Sequence, residues 1–399
     1  MKMKERLQIA ARMAVRKVLK VFLLFPADPH RILFESYDGT AYSCSPKYLS
    51  EYLETERAGE YDIVWSFREP QEFTDLLKKH RIRMVKKRSL RWFFEYMTAG
   101  TLVTNVAAAE VFFPKRRDQL VINTWHAGGA YKRTGVISEH VQANTEFQKW
   151  RRREQAGRFD VFLSSSPVFT RTNVREAYGF EGPVVKSGLP RNDLFFDEER
   201  VQRASKKVRK KFGLTGYVVL YAPTYRGNIN RTEALPPLPA EVIAKGIKER
   251  YGCEATILVR AHYADRANIL GNPAFPRMID VTDYPDMQEL LAASELLITD
   301  YSSSIWDFSL FGRPCLLYVP DLASYMEHDR GFYTPISEWP GIVCEDEEQL
   351  LEALVNLSEE EAKEKAAAHL GRFGSYENGK ACEVTEKVIR HFALTGELR

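Results

Sequence analysis

His126 stands in "NTWHAGGAYKRTG", residues 123–135, directly after Trp125 and just before the pair Gly128 and Gly129, with Lys132 and Arg133 following. A neutral imidazole can take a proton at pH 7, glycines let a backbone come close to a ligand, and the two cations suit an anionic one. The same imidazole also fits an ordinary hydrogen-bonded histidine at a strand end. Three more stretches carry comparable chemistry. "YAPTYRG", residues 221–227, offers the Thr224 hydroxyl and the Arg226 guanidinium, groups that grip a phosphate, although an arginine at a turn is often just solvated. "LVRAHY", residues 258–263, puts Arg260 and His262 two apart and so on one side of a continuing strand. "TDYSSSIWD", residues 299–307, gathers Asp300, Ser302, Ser303, Ser304 and Asp307. A serine run at a helix start can cradle an anion with hydroxyls, backbone amides and the helix dipole, and it can equally serve as a plain N-cap.

These four sets need strands to present them. Short β-branched or aromatic runs precede each one and recur along the chain: "RILFESY" at 31, "DIVWSF" at 62, "IRMVKK" at 82, "TLVTNV" at 101, "LVINTW" at 120 and "VFLSSS" at 161. The rhythm restarts with "YVVLYAPTY" at 217, "TILVRAH" at 256, "RMIDVT" at 277, "ELLITDYS" at 295 and "PCLLYVP" at 314. Strands alternating with helical stretches predict an α/β protein with parallel sheets, in which ligands sit beyond the carboxyl ends of the strands. Two Rossmann-like domains follow, residues 27–195 and 196–399, joined through the Gly- and Pro-containing turn and charged helix of "KSGLPRNDLFFDEERVQRASKKVRKKFGL". Neither GxGxxG nor GxxxxGK[ST] occurs, and no His and carboxylate cluster has metal-ligand spacing. Hydride transfer and P-loop hydrolysis thereby lose their main support, and a metal-independent transferase acting on a nucleotide diphosphate fits the residues better.

Composition bounds the rest. The 399 residues are 44% apolar, enough for two cores, and Lys plus Arg exceed Asp plus Glu by only three, so distribution of charge is more informative than its sum. Five cysteines at 44, 253, 315, 344 and 382 form no CxxC pair, which predicts reduced thiols in a cytosolic setting. No apolar run is long enough to span a bilayer, and the opening residues lack a signal-peptide pattern. Residues 1–26 instead predict a basic amphipathic helix: Lys2, Arg6, Arg12, Arg16, Lys17 and Lys20 fall on one arc, and Leu7, Ala14, Val15, Val18, Val21 and Phe22 lie opposite. A second cluster, "LLKKHRIRMVKKRSLRWFF", places eight cations between 78 and 91 beside Trp92, Phe93 and Phe94. Together they suit an anionic membrane surface, whereas a solvated helix and a basic strand suit each taken alone. No recognition module points to nucleic acid.

"WHAGGAYKRTG", "GLPRNDLF", "YAPTYRG", "RAH", "ITDYSSSIWDFSLFGRPCLLYVPDL" and "RGFY", in that order, together with the early "SYDGTAYSCSPKYLSEYL", resemble the CDP-glycerol glycerophosphotransferase family of wall teichoic acid and capsule synthesis. The likeness runs from about residue 31 to residue 380, and the ordered combination is specific although no single piece is. It implies a GT-B architecture, with an acceptor domain and a CDP-alditol domain facing across a cleft. It implies transfer of glycerol phosphate or ribitol phosphate from a CDP-alditol, without a further cofactor, to a hydroxyl of a lipid-linked, undecaprenyl-type acceptor at the cytoplasmic membrane face, releasing CMP. Carried over by position, the resemblance makes His126 the base, sets His262 against the donor diphosphate, and adds Asp300, Ser302, Ser303, Asp307 and Arg330. Thr224, Arg226, Arg260 and Ser304 complete the expected donor side; Trp125, Gly128, Gly129 and Lys132 form the expected acceptor side. Two departures stand out: "WHAGG" replaces the more usual WHGTP, and Tyr263 replaces the common proline after the second histidine. The family's long amino-terminal extension is lacking, which is compatible with a priming or short-chain enzyme. A GT-B glycosyltransferase using a nucleotide sugar, and a non-catalytic binding module, are the competing readings.

Overall fold

The structure is a computed structural model and describes residues 3–106, 112–135, 146–224, 226–228, 231–232, 238–261, 278–328 and 331–398. The chain divides into two compact units: Met1–His126, Val141–Asp193 and Tyr376–Arg399 form the first, Ala127–His140 and Leu194–Ser375 the second.

Seven parallel strands make the sheet of the first unit: β1 (Asp28–Glu35), β2 (Asp62–Phe67), β3 (Arg83–Lys86), β4 (Ala99–Thr104), β5 (Leu120–Asn123), β6 (Val161–Leu163) and β7 (Val184–Val185), in the order β3-β2-β1-β4-β5-β6-β7. Their side chains alternate between faces, so Leu33, Val64, Leu102, Val121 and Phe162 share a core with Trp92, Phe113 and Phe169. The last helix, Ala381–Thr395, returns to this unit and packs on helix Cys44–Glu56 and β1. Asp193 fixes its start, because the carboxylate accepts the amides of Ala381 at 2.9 Å and Cys382 at 2.7 Å.

The second unit carries β8 (Tyr217–Tyr221), the antiparallel hairpin β9 (Gly227–Asn228) and β10 (Arg231–Thr232), β11 (Ala255–Val259), β12 (Met278–Asp280), β13 (Leu296–Thr299), β14 (Cys315–Tyr318) and β15 (Ile342–Cys344). Its parallel sheet has the order β12-β11-β8-β13-β14-β15. Val219, Tyr221, Ile257, Val259, Ile298 and Leu316 point to one face and meet helices Ala240–Tyr251 and Glu347–Val355. The charged stretch after residue 197 folds as helix Glu198–Phe212, capped by Asp197, with Arg209, Lys210 and Lys211 in its last turn and Gly213 in the left-handed conformation that stops it.

In each sheet the strand order reverses between two neighbours, β1 and β4 in the first and β8 and β13 in the second. Connections leave such a pair in opposite directions and open a crevice at the strands' carboxyl ends, the usual ligand position in this class of fold. The chain sections that leave these four strands are Ser36–Tyr37, Asn105, Ala222–Arg226 and Asp300–Ser304.

Candidate active site

At the reversal in the first sheet, Asn105 leaves β4 fully buried and makes three bonds. Its Oδ1 accepts the Tyr37 amide at 2.8 Å, its Nδ2 donates to Ser36 Oγ at 3.2 Å, and its carbonyl lies 2.8 Å from His126 Nδ1. A carbonyl only accepts, so Nδ1 carries the proton and Nε2 is the basic nitrogen. Burial pushes the His126 pKa below its ordinary value, the Asn105 carbonyl partly restores it, and nearby Arg191 lowers it further. The imidazole is therefore neutral at pH 7. It stacks on Trp125 with ring centroids 4.8 Å apart, and Tyr37 stands 6.0 Å away. Trp125 itself holds a positive φ of 52°, a costly conformation for a bulky residue that turns the chain sharply after β5. The sequence singles out His126 and Trp125, and the fold brings them together with Asn105 and Tyr37, which strand-end reading passed over. The signal for Asn105 was present, as a polar residue ending the run "TLVTNV".

At the reversal in the second sheet, Asp300 ends β13 and both its oxygens accept the Thr224 amide, at 2.8 and 2.9 Å. Arg226 Nη1 lies 2.7 Å from Asp300 Oδ2, while its Nε and Nη2 donate to Asp321 at 2.6 and 3.2 Å. Tyr301 and Tyr325 stack with centroids 3.8 Å apart and both face the guanidinium, and Tyr301 donates to Asp321 at 2.9 Å. Asp300 is 2% exposed and Arg226 4%, so the strand-end acid and the turn arginine are used on each other and on the loop backbone. The Arg226 charge persists against burial because Asp300 and Asp321 offset it. The pair shapes the loop at the strand ends: among the described residues Thr224 Oγ1 is a buried hydroxyl without a hydrogen-bond partner, and Ser303 begins the next helix without a side-chain capping bond. Ser304 Oγ donates to Ser302 Oγ at 2.9 Å. The helix behind them, Ser304–Ser309, has only six residues, so its dipole is small and the hydroxyls are the stronger feature. Asp307 is buried, accepting from Gln288 at 3.0 Å, and Arg260 donates to the Tyr284 carbonyl at 2.8 Å.

The glycines after His126 have close neighbours inside the second unit. A Cβ on Gly128 would lie 2.2 Å from the Trp306 indole, and one on Gly129 would lie 2.1 Å from the Tyr131 ring. Tyr131 in turn bonds His369 Nε2 at 2.9 Å, burial and Arg372 having pushed that histidine's pKa down to about 4. Lys132 pairs as a β-bridge with Phe332, flanked by bonds from Arg133 N to Gly331 O at 2.8 Å and from Tyr333 N to Tyr131 O at 2.9 Å. The "AYKR" and "GFY" stretches are thus laid side by side. His262, Tyr263 and Arg330 lie outside the described residues. Among the described residues no group of three His, Cys, Asp or Glu side chains is placed to hold a metal ion.

The two basic clusters differ. Helix Met3–Leu19 turns Leu19 and Arg16 toward the first unit, Arg16 pairing with Glu154 at 2.6 Å, and Arg12 lies over Phe147. Leu7, Val15, Val18, Val21 and Leu24 point to solvent. In the second cluster five of the eight cations are matched by acids: Lys78 with Asp75, Arg83 with Asp62 and Glu95, Lys86 with Glu69, Lys87 with Glu35 and Asp38, and Arg91 with Glu95. Trp92 is fully buried, which corrects its expected place among interfacial aromatics. Among the described residues no helix is long and apolar enough to cross a membrane.

A family model described as CDP-glycerol:poly(glycerophosphate) glycerophosphotransferase matches residues 17–391. The chain belongs to that family. This glycerophosphotransferase-family enzyme, a transferase of teichoic acid biosynthesis, is similar to the teichoic acid poly(glycerol phosphate) polymerase of Bacillus spizizenii, 28% identical over 379 residues that cover 93% of this chain and 95% of that one. It is similar to the teichoic acid glycerol-phosphate transferase of Staphylococcus aureus, 28% identical with 92% and 95% covered. Ribitol-phosphate polymerases and a ribitol-phosphate primase also match this chain. Among solved structures, the wall teichoic acid polymerase TagF has a TM-score of 0.81 at 26% identity, covering 99% of each chain.

Proposed function

We propose that this glycerophosphotransferase moves an alditol phosphate, glycerol phosphate or ribitol phosphate, from a CDP-alditol to a hydroxyl of a lipid-linked acceptor and releases CMP. The acceptor oxygen attacks the phosphorus next to the alditol, its proton passes to His126 Nε2, and the bond to the CMP oxygen breaks. The observation that carries this reading is the bond from His126 Nδ1 to the Asn105 carbonyl, which leaves Nε2 unprotonated on an imidazole that burial keeps neutral. Phosphoryl transfer depends mainly on positioning and on balancing charge, and no resident cofactor is called on. Thr224, Ser302, Ser303 and Ser304 supply hydroxyls to the diphosphate, with Arg260, His262 and Arg330 as the cationic side. Asp300, Arg226 and Asp307 contribute by holding those loops. Trp125, Gly128, Gly129 and Lys132 form the acceptor side. The proposed arrangement is GT-B, with two Rossmann-like domains facing across a cleft; the boundary expected near residue 195 is corrected in that Tyr376–Arg399 belongs to the first unit and Ala127–His140 to the second.

The lipid-linked acceptor places the reaction at the cytoplasmic face of the membrane, with the enzyme bound peripherally through its amino-terminal helix. The outward apolar face of that helix, flanked by Lys17 and Lys20, supports this part of the reading. The test is to supply CDP-glycerol and CDP-ribitol in parallel with a defined lipid-linked acceptor and to measure CMP and the extended product. Extension with one alditol and CMP release in equal amount is expected; release of UMP or UDP from nucleotide sugars in place of it overturns the reading.

A further inference from the structure

We propose that Tyr37 contacts the acceptor and sets its specificity, an assignment that rests on the function proposed above. Tyr37 leaves β1 at the sheet reversal with a φ of 46°, and Asp38 and Gly39 follow at 59° and 81°. Such a run persists only where its surroundings over-determine it, and here they do. The Tyr37 amide is held by Asn105 Oδ1 at 2.8 Å. Ser36 Oγ donates to the Ser43 carbonyl at 3.0 Å. Asp38 pairs with Lys87 at 2.5 Å and with Arg68, and the Arg68 amide donates to the Gly39 carbonyl at 2.8 Å.

One residue therefore fixes two others: Asn105 orients the His126 ring through its carbonyl and the Tyr37 backbone through its side chain. The outcome is an aromatic ring 38% exposed and 6.0 Å from the imidazole, standing beside a fully buried Asn105 and Ser36. A tyrosine held half in solvent has an apolar face and a polar tip. That combination fits a polyol chain end, whose C–H groups pack on the ring while its hydroxyls or phosphodiester reach the phenol. An acceptor hydroxyl delivered to His126 Nε2 brings its own alditol unit within reach of this ring.

The experiment compares wild type with Tyr37→Phe, Tyr37→Ala and Tyr37→Asn in CMP-release assays, varying the CDP-glycerol donor and a soluble lipid-linked acceptor analogue separately. Asparagine accepts a left-handed backbone better than tyrosine does, so Tyr37→Asn removes the ring without disturbing the turn. Tyr37→Asn and Tyr37→Ala are expected to raise the acceptor KM about tenfold, with donor KM and acceptor-independent CMP release changed less than about twofold. Tyr37→Asn is expected to melt no lower than wild type, and Tyr37→Phe to fall between. An unchanged acceptor KM in Tyr37→Asn overturns the assignment, as does a rise in donor KM of equal size or a lowered melting temperature in that variant. Two controls in the same assay separate the ideas: retained CMP release by His126→Ala removes the base alone, and UMP or UDP release from nucleotide sugars in place of CMP release removes the proposed function, whatever Tyr37 does.

Discussion

Asp300 and Arg226 neutralise each other inside the second unit, a carboxylate oxygen 2.7 Å from Nη1 with both side chains shut off from water. The pair ties the end of β13 to the loop after β8, and the same carboxylate holds the Thr224 amide. Removing Arg226 leaves Asp300 buried with its charge unmatched, and removing Asp300 leaves Arg226 with the Asp321 part of its charge compensation alone. Arg226→Met and Asp300→Asn are therefore expected to cost about 3 to 5 kcal/mol each, read from urea unfolding. The double variant is expected to cost less than the sum of the singles; an additive result removes the coupling.

Gly128 and Trp306 make a second test of packing. With no room for a Cβ against the indole, Gly128→Ala forces the ring or the loop to move, at about 1 to 3 kcal/mol. Trp306→Phe opens space and is expected to recover part of that loss in Gly128→Ala. A melting temperature unaffected by Gly128→Ala contradicts the contact.

His126 gives a pH dependence with a definite sign. Its pKa lies below the ordinary histidine value, so the base is unprotonated at neutral pH and the fall of kcat/KM on the acid side is centred below about 6.5. His126→Gln is expected to lower kcat by about 10² to 10⁴ and to abolish that acid limb. An acid limb that survives the substitution belongs to another group.

The outward face of the amino-terminal helix predicts a binding phenotype without a folding one. Val18→Glu with Val21→Glu removes apolar contact at exposed positions, so melting is expected to shift little while sedimentation with anionic vesicles drops at least about tenfold. Equal vesicle binding by the variant defeats peripheral docking through this helix.

Much of the fold was legible because buried parallel strands are short, apolar runs, and all eleven such runs became strands of the two sheets. The strands passed over are β7, β9, β10 and β15, each two or three residues long and too brief to carry a pattern. The strand-end positions of the polar residues were legible by the same rule, and applied to "TLVTNV" it also reaches Asn105. Partners were not. Nothing near Gly128 announces Trp306, and nothing near Arg226 announces Asp321, since those contacts join residues 178 and 95 positions apart. The pairing of the charge run at 78–91 was hidden for a related reason: Glu35, Asp38 and Asp62, which neutralise Lys87 and Arg83, lie well back in the chain, while Asp75 and Glu95 stand just outside its two ends. Nor does the spacing of polar residues reveal a positive φ, which is how Tyr37 escaped notice.

The return of helix Ala381–Thr395 to the first unit has a consequence in time. Asp193, whose carboxylate receives the first amides of that helix, leaves the ribosome 188 residues before Ala381, an interval of about 10 to 40 s at ordinary synthesis rates. Throughout that interval β1 and helix Cys44–Glu56 lack the cover they have in the finished protein. The first unit is thus completed only after the second has been made, and a nascent chain holds an unfinished apolar surface until residues 381–395 emerge.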